Sequence, residues 1–216
     1  MTWDPLGTIA NARWIGGGQW AGKTTVAVIL ARRYGLTVYR HDYPAARSHL
    51  DRAAAAQARA GEPVTGFDPD WAFVQRSPQA MAAGVLTDFA DRFEWALDDL
   101  RALESPHPII AEGWGLRPEL VAGIGGAGRM VVLVPTEKFR QHQIATLPRA
   151  GQLGNRNRNK VSDPELGQRN RVDRDRLIAE DAVQSAVRHG IPVIEVDGSR
   201  DANDVADLVA GPLGLA

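Results

Sequence analysis

The residues best suited to chemistry lie early in the chain, in the run Gly17-Gly18-Gln19-Trp20-Ala21-Gly22-Lys23-Thr24. This run meets every fixed position of the pattern G-x-x-x-x-G-K-[ST]. Each residue type has a physical reason to be there. Glycines let the backbone curl so that successive N–H groups converge on an anion. A helix starting at the end of the loop adds its N-terminal partial positive charge. Lys23 has the reach for β- and γ-phosphates, and the Thr24 hydroxyl can ligand magnesium. Gly17, Gly18, Gln19, Trp20, Ala21, Gly22, Lys23, Thr24 and Thr25 are therefore expected to cradle the triphosphate of a nucleotide, ATP with Mg2+. Trp20 is unusual inside such a loop and either packs on the sheet edge or stacks on a ligand.

Two carboxylates follow apolar segments that read as strands. Asp42 comes after Leu36–Arg40, and Glu112 ends the segment that begins at Pro108. In open parallel sheets ligands gather off the carboxyl ends of the strands, so both are candidates. Glu112 stands where an NTPase needs a carboxylate near magnesium. It is one methylene longer than the usual aspartate, which also allows it to act through water or on the substrate. Asp42 is better placed to orient or deprotonate an acceptor hydroxyl. The competing reading for both is capping of the next helix. Arg117 can hold an anionic substrate group or pair with Glu112 or Glu119. His41 reads as packing, and the other histidines have no metal-ligand spacing.

Between Leu147 and Arg176 the apolar periodicity disappears, and eight basic residues stand against four acidic ones. A segment of this length without a pattern is expected to be functional or mobile. Phosphoryl transfer calls for cations and exclusion of water. Arg169, Arg171 and Arg174 would supply both as a closing lid, Arg169 on the nucleotide and Arg171 and Arg174 in catalysis. A solvated loop and an RNA-contacting patch are the alternatives. Asn159-Lys160-Val161-Ser162-Asp163 approaches the guanine-reading N-K-x-D signature but is one residue too long and follows no strand, which excludes a switch GTPase.

The elements that must position these residues can be read from periodicity. Arg13–Ile15 reads as a strand entering the glycine loop. A helix follows from Gly22, carrying Val26, Ile29 and Leu30 and closed by Gly35. Leu36–Arg40 is the second strand, so strand, loop, helix and strand form a βαβ unit of a parallel sheet. The stretch 43–103 reads as helical, broken at Gly61-Glu62-Pro63 and near Asp68-Pro69. Its last helix starts at a Ser77 cap with Pro78 at the first position. Pro108–Ala111, Met130–Val134 and Ile191–Val196 are the remaining strands. Asp201, with Asp204 three residues on, caps the final helix.

Composition narrows the partners. The formal net charge is −1, which argues against a general nucleic-acid binder. The absence of cysteine removes disulfides, thiolate zinc sites and cysteine nucleophiles. The start, MTWDPLGTIA, lacks the basic and apolar regions of a signal peptide. The longest apolar runs, Val26–Ala31 and Met130–Pro135, fall well short of the about 20 residues that span a bilayer. A cytoplasmic protein of one domain, residues 1–216, is expected.

The order of elements, with the loop Gly17–Thr24, Asp42 after the second strand and the Arg169/Arg171/Arg174 segment, resembles the nucleoside, nucleotide and shikimate-type kinases among P-loop proteins. The resemblance implies an α/β three-layer sandwich with a five-stranded parallel sheet. It also implies a helical acceptor region at about 43–103, an arginine-bearing lid at about 147–176, and a Gly198–Asp201 loop bordering the adenine. The activity it implies is ATP- and Mg-dependent phosphotransfer to a small-molecule acceptor such as a nucleoside, sugar or antibiotic-like alcohol. The protein would work without membrane or nucleic-acid partner, as a monomer or homodimer. Glu112-Gly113 departs from the group's signatures and leaves the acceptor open. A regulatory ATPase without an acceptor, or an RNA-stimulated one, are the alternatives.

Overall fold

A computed structural model describes residues 3–64, 66–103, 105–147 and 160–216. Five strands form one parallel sheet in the order β2-β3-β1-β4-β5. They are β1 (Arg13–Gly17), β2 (Thr37–Arg40), β3 (Ile109–Glu112), β4 (Met130–Pro135) and β5 (Val193–Val196). Every residue of β3 and β4 is buried, whereas the edge strands β2 and β5 are only partly covered. Their sequences follow from this, since a strand covered on both faces reads as a continuous apolar run.

The helices lie on both faces. On one face, α1 (Lys23–Tyr34) and α8 (Ala202–Ala210) bring Val26, Leu30, Val205 and Val209 against Ile15, Ile110, Val131 and Leu133. On the other, α4 (Pro78–Arg101) and α7 (Pro164–Arg188) pack Phe93, Leu97, Ala179, Ala182 and Ala186 against Trp14, Ala111 and Val132. Neighbours such as Trp14 and Ile15 belong to opposite clusters because successive strand side chains point to opposite faces. The result is the expected three-layer α/β sandwich with a five-stranded parallel sheet. Among the described residues no helix is long and apolar enough to cross a membrane.

The short α2 (Asp42–Ala45) and α3 (Ser48–Arg59), a single π-helical turn at Trp71–Gln75, and α4 make up the helical region between β2 and β3. The expected breaks around Gly61 and Asp68 fall between α3 and that turn. Ser77 caps α4 by accepting from the Ala80 N–H, and Asp201 and Asp204 form a reciprocal capping box on α8. After β3 come α5 (Pro118–Gly123) and, after β4, α6 (Glu137–Thr146).

One expectation is corrected. The patternless segment is helical from Pro164, the N-terminal half of the 25-residue α7. Asp163 caps it by accepting from the Glu165 and Leu166 N–H groups, with Pro164 at the first position. Periodicity failed here because the first turns bury Gly167, Asn170 and Asp175 in place of apolar side chains. Asn170 Nδ2 donates to the Phe73 carbonyl at 3.0 Å, and Ser162 donates twice to Asp70 Oδ1, tying this end of α7 to the π-helical turn. Arg169, Arg171 and Arg174 therefore ride on a packed helix. The remainder of the expected lid, residues 148–159 with Arg149, Arg156 and Arg158, lies outside the described residues.

Candidate active site

The loops after β1 and β3 leave adjacent strands toward opposite faces, β1 into α1 and β3 toward α5, whose Val121 belongs to the other core. Such a divergence opens a crevice at the carboxyl edge of the sheet. The glycine loop sits on its rim. Gly17 closes β1 at φ 111°, and a Cβ there would lie 2.1 Å from the Leu133 carbonyl oxygen. Gly22, at φ 80°, turns the chain into α1 with no side-chain cap on the helix. The first-turn N–H groups are thus left for an anion, and Gly22, Thr24 and Thr25 are exposed beside them. Trp20 is the one non-glycine residue with positive φ among the described residues, at 67°.

Lys23 is buried, and its Nζ donates to the Gly18 carbonyl at 2.7 Å. Burial pushes its pKa down, opposed by the charges of Asp42, Glu112 and Asp175. The charges of those three carboxylates thus act on one ammonium. Thr24 Oγ1 donates to Glu112 Oε1 at 3.0 Å, joining α1 to the end of β3. Glu112 Oε2 is buried and has no hydrogen-bond partner among the described residues. Burial, and then the nearby Asp42 charge, raise the Glu112 pKa, with Thr24, Lys23 and Arg40 acting in the other direction.

Asp42 begins α2, yet its carboxylate caps nothing. Its Oδ1 accepts from the Trp114 N–H at 3.2 Å, across to the loop after β3. Glu112 caps nothing either, since α5 starts at Pro118 with Arg117 at its N-cap. His41 is buried edge-on to His49 and Phe89, as a packing residue. From α7, the Arg171 guanidinium lies 5.5 Å from the Trp20 ring centroid, and Arg174 lies 5.5 Å from that of Trp114. Arg174 also makes two hydrogen bonds to Asp175 Oδ1, at 2.9 and 2.6 Å. Arg169 instead is exposed, 4.0 Å from Glu165.

Two cavities flank the loop along the sheet edge. The first, of about 300 Å3, lies on the β4–β5 side between Trp20, Gly22, Thr25, Phe139, Arg200 and Asp201. The second, of about 180 Å3, lies on the β2–β3 side between Asp42, Val85, Asp88, Phe89, Arg92 and Trp114. Lys23, Thr24 and Glu112 stand between them.

No family model matches the chain, and neither does any curated protein. Solved structures do. A gluconokinase from Sinorhizobium meliloti is similar over 93% of this chain and 90% of its own, at 13% identity and a TM-score of 0.46. A shikimate kinase from Acinetobacter baumannii, in complex with shikimate, covers 94% of this chain and 93% of its own at 17% identity and a TM-score of 0.47. One from Bacteroides thetaiotaomicron covers 94% and 98% at 15% identity, also with a TM-score of 0.47. Similarity at this level lends the chain neither a substrate nor a residue role.

The site's own donor set is suited to magnesium. A hydroxyl beside a buried carboxylate with an unused oxygen is a hard oxygen pair. Among the described residues no three His, Cys, Asp or Glu side chains converge into a cage. Magnesium commonly takes one or two protein oxygens and completes its shell with phosphate and water.

Arg117 is corrected as a substrate residue. It is 1% exposed and bound to Glu119, to Asp181 and to the Ile178 carbonyl, locking α5 against α7. The pairing with Glu119 raised from sequence is the one that forms. Phe67 and Trp71 line a separate open groove of about 690 Å3 beside α3, which shares Arg92 with the smaller cavity. The aromatic walls near Asp42 are Phe89 and Trp114. Asp175, Trp114, Phe139 and Asp88 escaped sequence reasoning. Only Trp114, in the glycine-flanked turn after a strand, carried a local signal.

Proposed function

We propose that the protein is a phosphotransferase that moves the γ-phosphate of ATP, with magnesium, onto a hydroxyl of a small molecule. The observation that carries this reading is the pair of cavities on opposite sides of one anion loop, the second bordered by a carboxylate. Simple hydrolysis requires only the first.

In this reading the base and ribose occupy the cavity by Trp20 and Phe139, with Gly198–Asp201 at its border. The triphosphate lies along the N–H groups of Gly17–Thr25. Lys23 turns from the Gly18 carbonyl to the β- and γ-phosphates. Thr24 and Glu112 would hold the metal, which would supply positive charge against that of the phosphates. The acceptor sits in the cavity beside Asp42. One Asp42 oxygen is fixed by the Trp114 N–H, and the other takes the proton of the acceptor hydroxyl. The acceptor oxygen bonds to the γ-phosphorus, the bond from that phosphorus to the β,γ-bridging oxygen breaks, and the electron pair leaves on ADP. Arg171 and Arg174 offset the charge that spreads over the transferring group.

A panel of small alcohols scored by ADP release tests the proposal. Acceptor-dependent release that disappears in Lys23→Ala supports it. Release that no acceptor changes would favour a regulatory ATPase, and release raised only by RNA would favour a nucleic-acid role.

A further inference from the structure

The acceptor cavity is small, and its lining is on balance negative. Its body is formed by Ala45, Ala46, Val85, Phe89 and Trp114. Phe89 and Trp114 meet edge-on, with centroids 5.0 Å apart and planes at 80°, so that they form a right-angled apolar corner. A dry cavity of about 150 Å3 takes one benzene ring. At about 180 Å3 this one, open on one side, has room within its walls for a single six-membered ring and a short substituent.

Its charges can be counted element by element. The end of β2 and α2 contribute Asp42. The facing α4 contributes Asp88 at the rim and Arg92, whose guanidinium lies 3.5 Å from the Asp88 carboxylate. The loop after β3 contributes Trp114 and no charge. Behind the Trp114 ring, the charge of Arg174 is offset by its partner Asp175, and Arg117 is locked between α5 and α7. Among the side chains that line the cavity, two carboxylates thus stand against one guanidinium, with His41 Nδ1 3.8 Å from Asp42 Oδ1 and the Lys23 ammonium acting on Asp42 from the loop side. A pair such as Asp88–Arg92, with an exposed carboxylate and a half-buried guanidinium, is weak enough to open. Opening it for an anionic acceptor would still leave that anion beside both Asp42 and Asp88.

Resting on the kinase reading of this site, we propose that the acceptor is a one-ring alcohol that is uncharged or bears an amine, and that Asp88 rejects acceptors bearing a carboxylate or phosphate. The ring lies in the Phe89–Trp114 corner with its hydroxyl toward Asp42. An amine on the far side of the ring meets Asp88.

Three matched probes test this: cyclohexanemethanol, its 4-aminomethyl derivative and its 4-carboxylate. Each is assayed for ADP release with ATP and magnesium. Each is also titrated against Trp114 fluorescence, taken as the signal lost in Trp114→Phe, in the presence of a non-hydrolysable ATP analogue. The neutral and amine probes should bind and turn over, with kcat/KM at least about tenfold above the carboxylate. Asp88→Asn should narrow that gap from both ends, weakening the amine probe and improving the carboxylate, each relative to the neutral probe. A merely structural Asp88 would shift all three together, and that result overturns its role. A carboxylate probe preferred by the wild type overturns the charge assignment but leaves the kinase reading standing. If none of the three binds or reacts while larger or acyclic alcohols in the panel do, the one-ring class is wrong and the kinase reading again survives. Failure of every alcohol to stimulate ADP release removes both.

Discussion

Replacing Glu112 by Gln should make the ligand-free protein more stable and its magnesium nucleotide complex weaker. The side chain is 2% exposed, one of its oxygens holds Thr24 and the other is unpartnered. A buried polar atom left without a partner costs about 1–3 kcal/mol, and more when charged. Gln keeps the acceptor for Thr24 and removes the charge, so a gain of about 1 kcal/mol is expected, or about 2–4 °C in Tm for a chain of this size. The pH dependence has a definite sign. A carboxyl whose pKa is raised on folding binds more protons in the native state than in the unfolded one. Its penalty is therefore fully present above the raised folded value and fades as pH falls toward the unfolded value of 4.5. The advantage of Glu112→Gln should shrink over the same window. With magnesium and ATP the order reverses. A ligand at 100 times its Kd stabilises by about 2.7 kcal/mol, and each tenfold loss of affinity removes about 1.4 kcal/mol of that. Thermal melts between pH 5 and 8, with and without magnesium ATP, read all three effects. A variant that is less stable without ligand yet keeps the full ligand shift would show that Glu112 is a strut for Thr24 and not a metal ligand.

Lys23→Ala should abolish tight ATP binding by isothermal titration while the circular dichroism spectrum stays unchanged. Unchanged affinity would remove the phosphate role of the loop. Asp42→Asn should leave the ATP Kd nearly unaltered and lower acceptor turnover by at least about 10²-fold, because a group that handles only the acceptor proton adds little to nucleotide binding. Loss of magnesium or ATP affinity instead would move Asp42 to the metal. Arg117→Ala should cost about 3 kcal/mol in urea denaturation, since it strands Asp181 and Glu119 against a vacated site. A near-neutral result would mean that the α5–α7 clamp carries no weight.

Several expectations held because their physics is local. The loop Gly17–Thr24 could be read directly, since a turn of small residues leading into a helix creates its anion site from covalent neighbours. Ser77-Pro78 and Asp201 with Asp204 announced helix starts for the same reason, each bond spanning three residues. Four strands were visible as apolar runs, and β1 as a short one entering glycine. The start of α7 was not visible, because it faces polar partners such as the Phe73 carbonyl, and burying Asn170 and Asp175 erases the apolar period that sequence reading depends on.

The chain's own order of residues thus determined the sheet class, the loop, and the two carboxylates delivered to strand ends. Tertiary structure decided what those groups meet. Thr24 and Glu112 lie 88 residues apart and join only because β1 and β3 are neighbours in the sheet. Asp175 acts on Lys23 only because α7 crosses above the loop, and its place among arginines reads in sequence like a solvated helix face. Arg117 could face substrate or scaffold until α5 docked on α7 and supplied Asp181. Periodicity and capping act over a few residues, and so are written in sequence. Pairing across strands and helices depends on distances that arise only when the layers close.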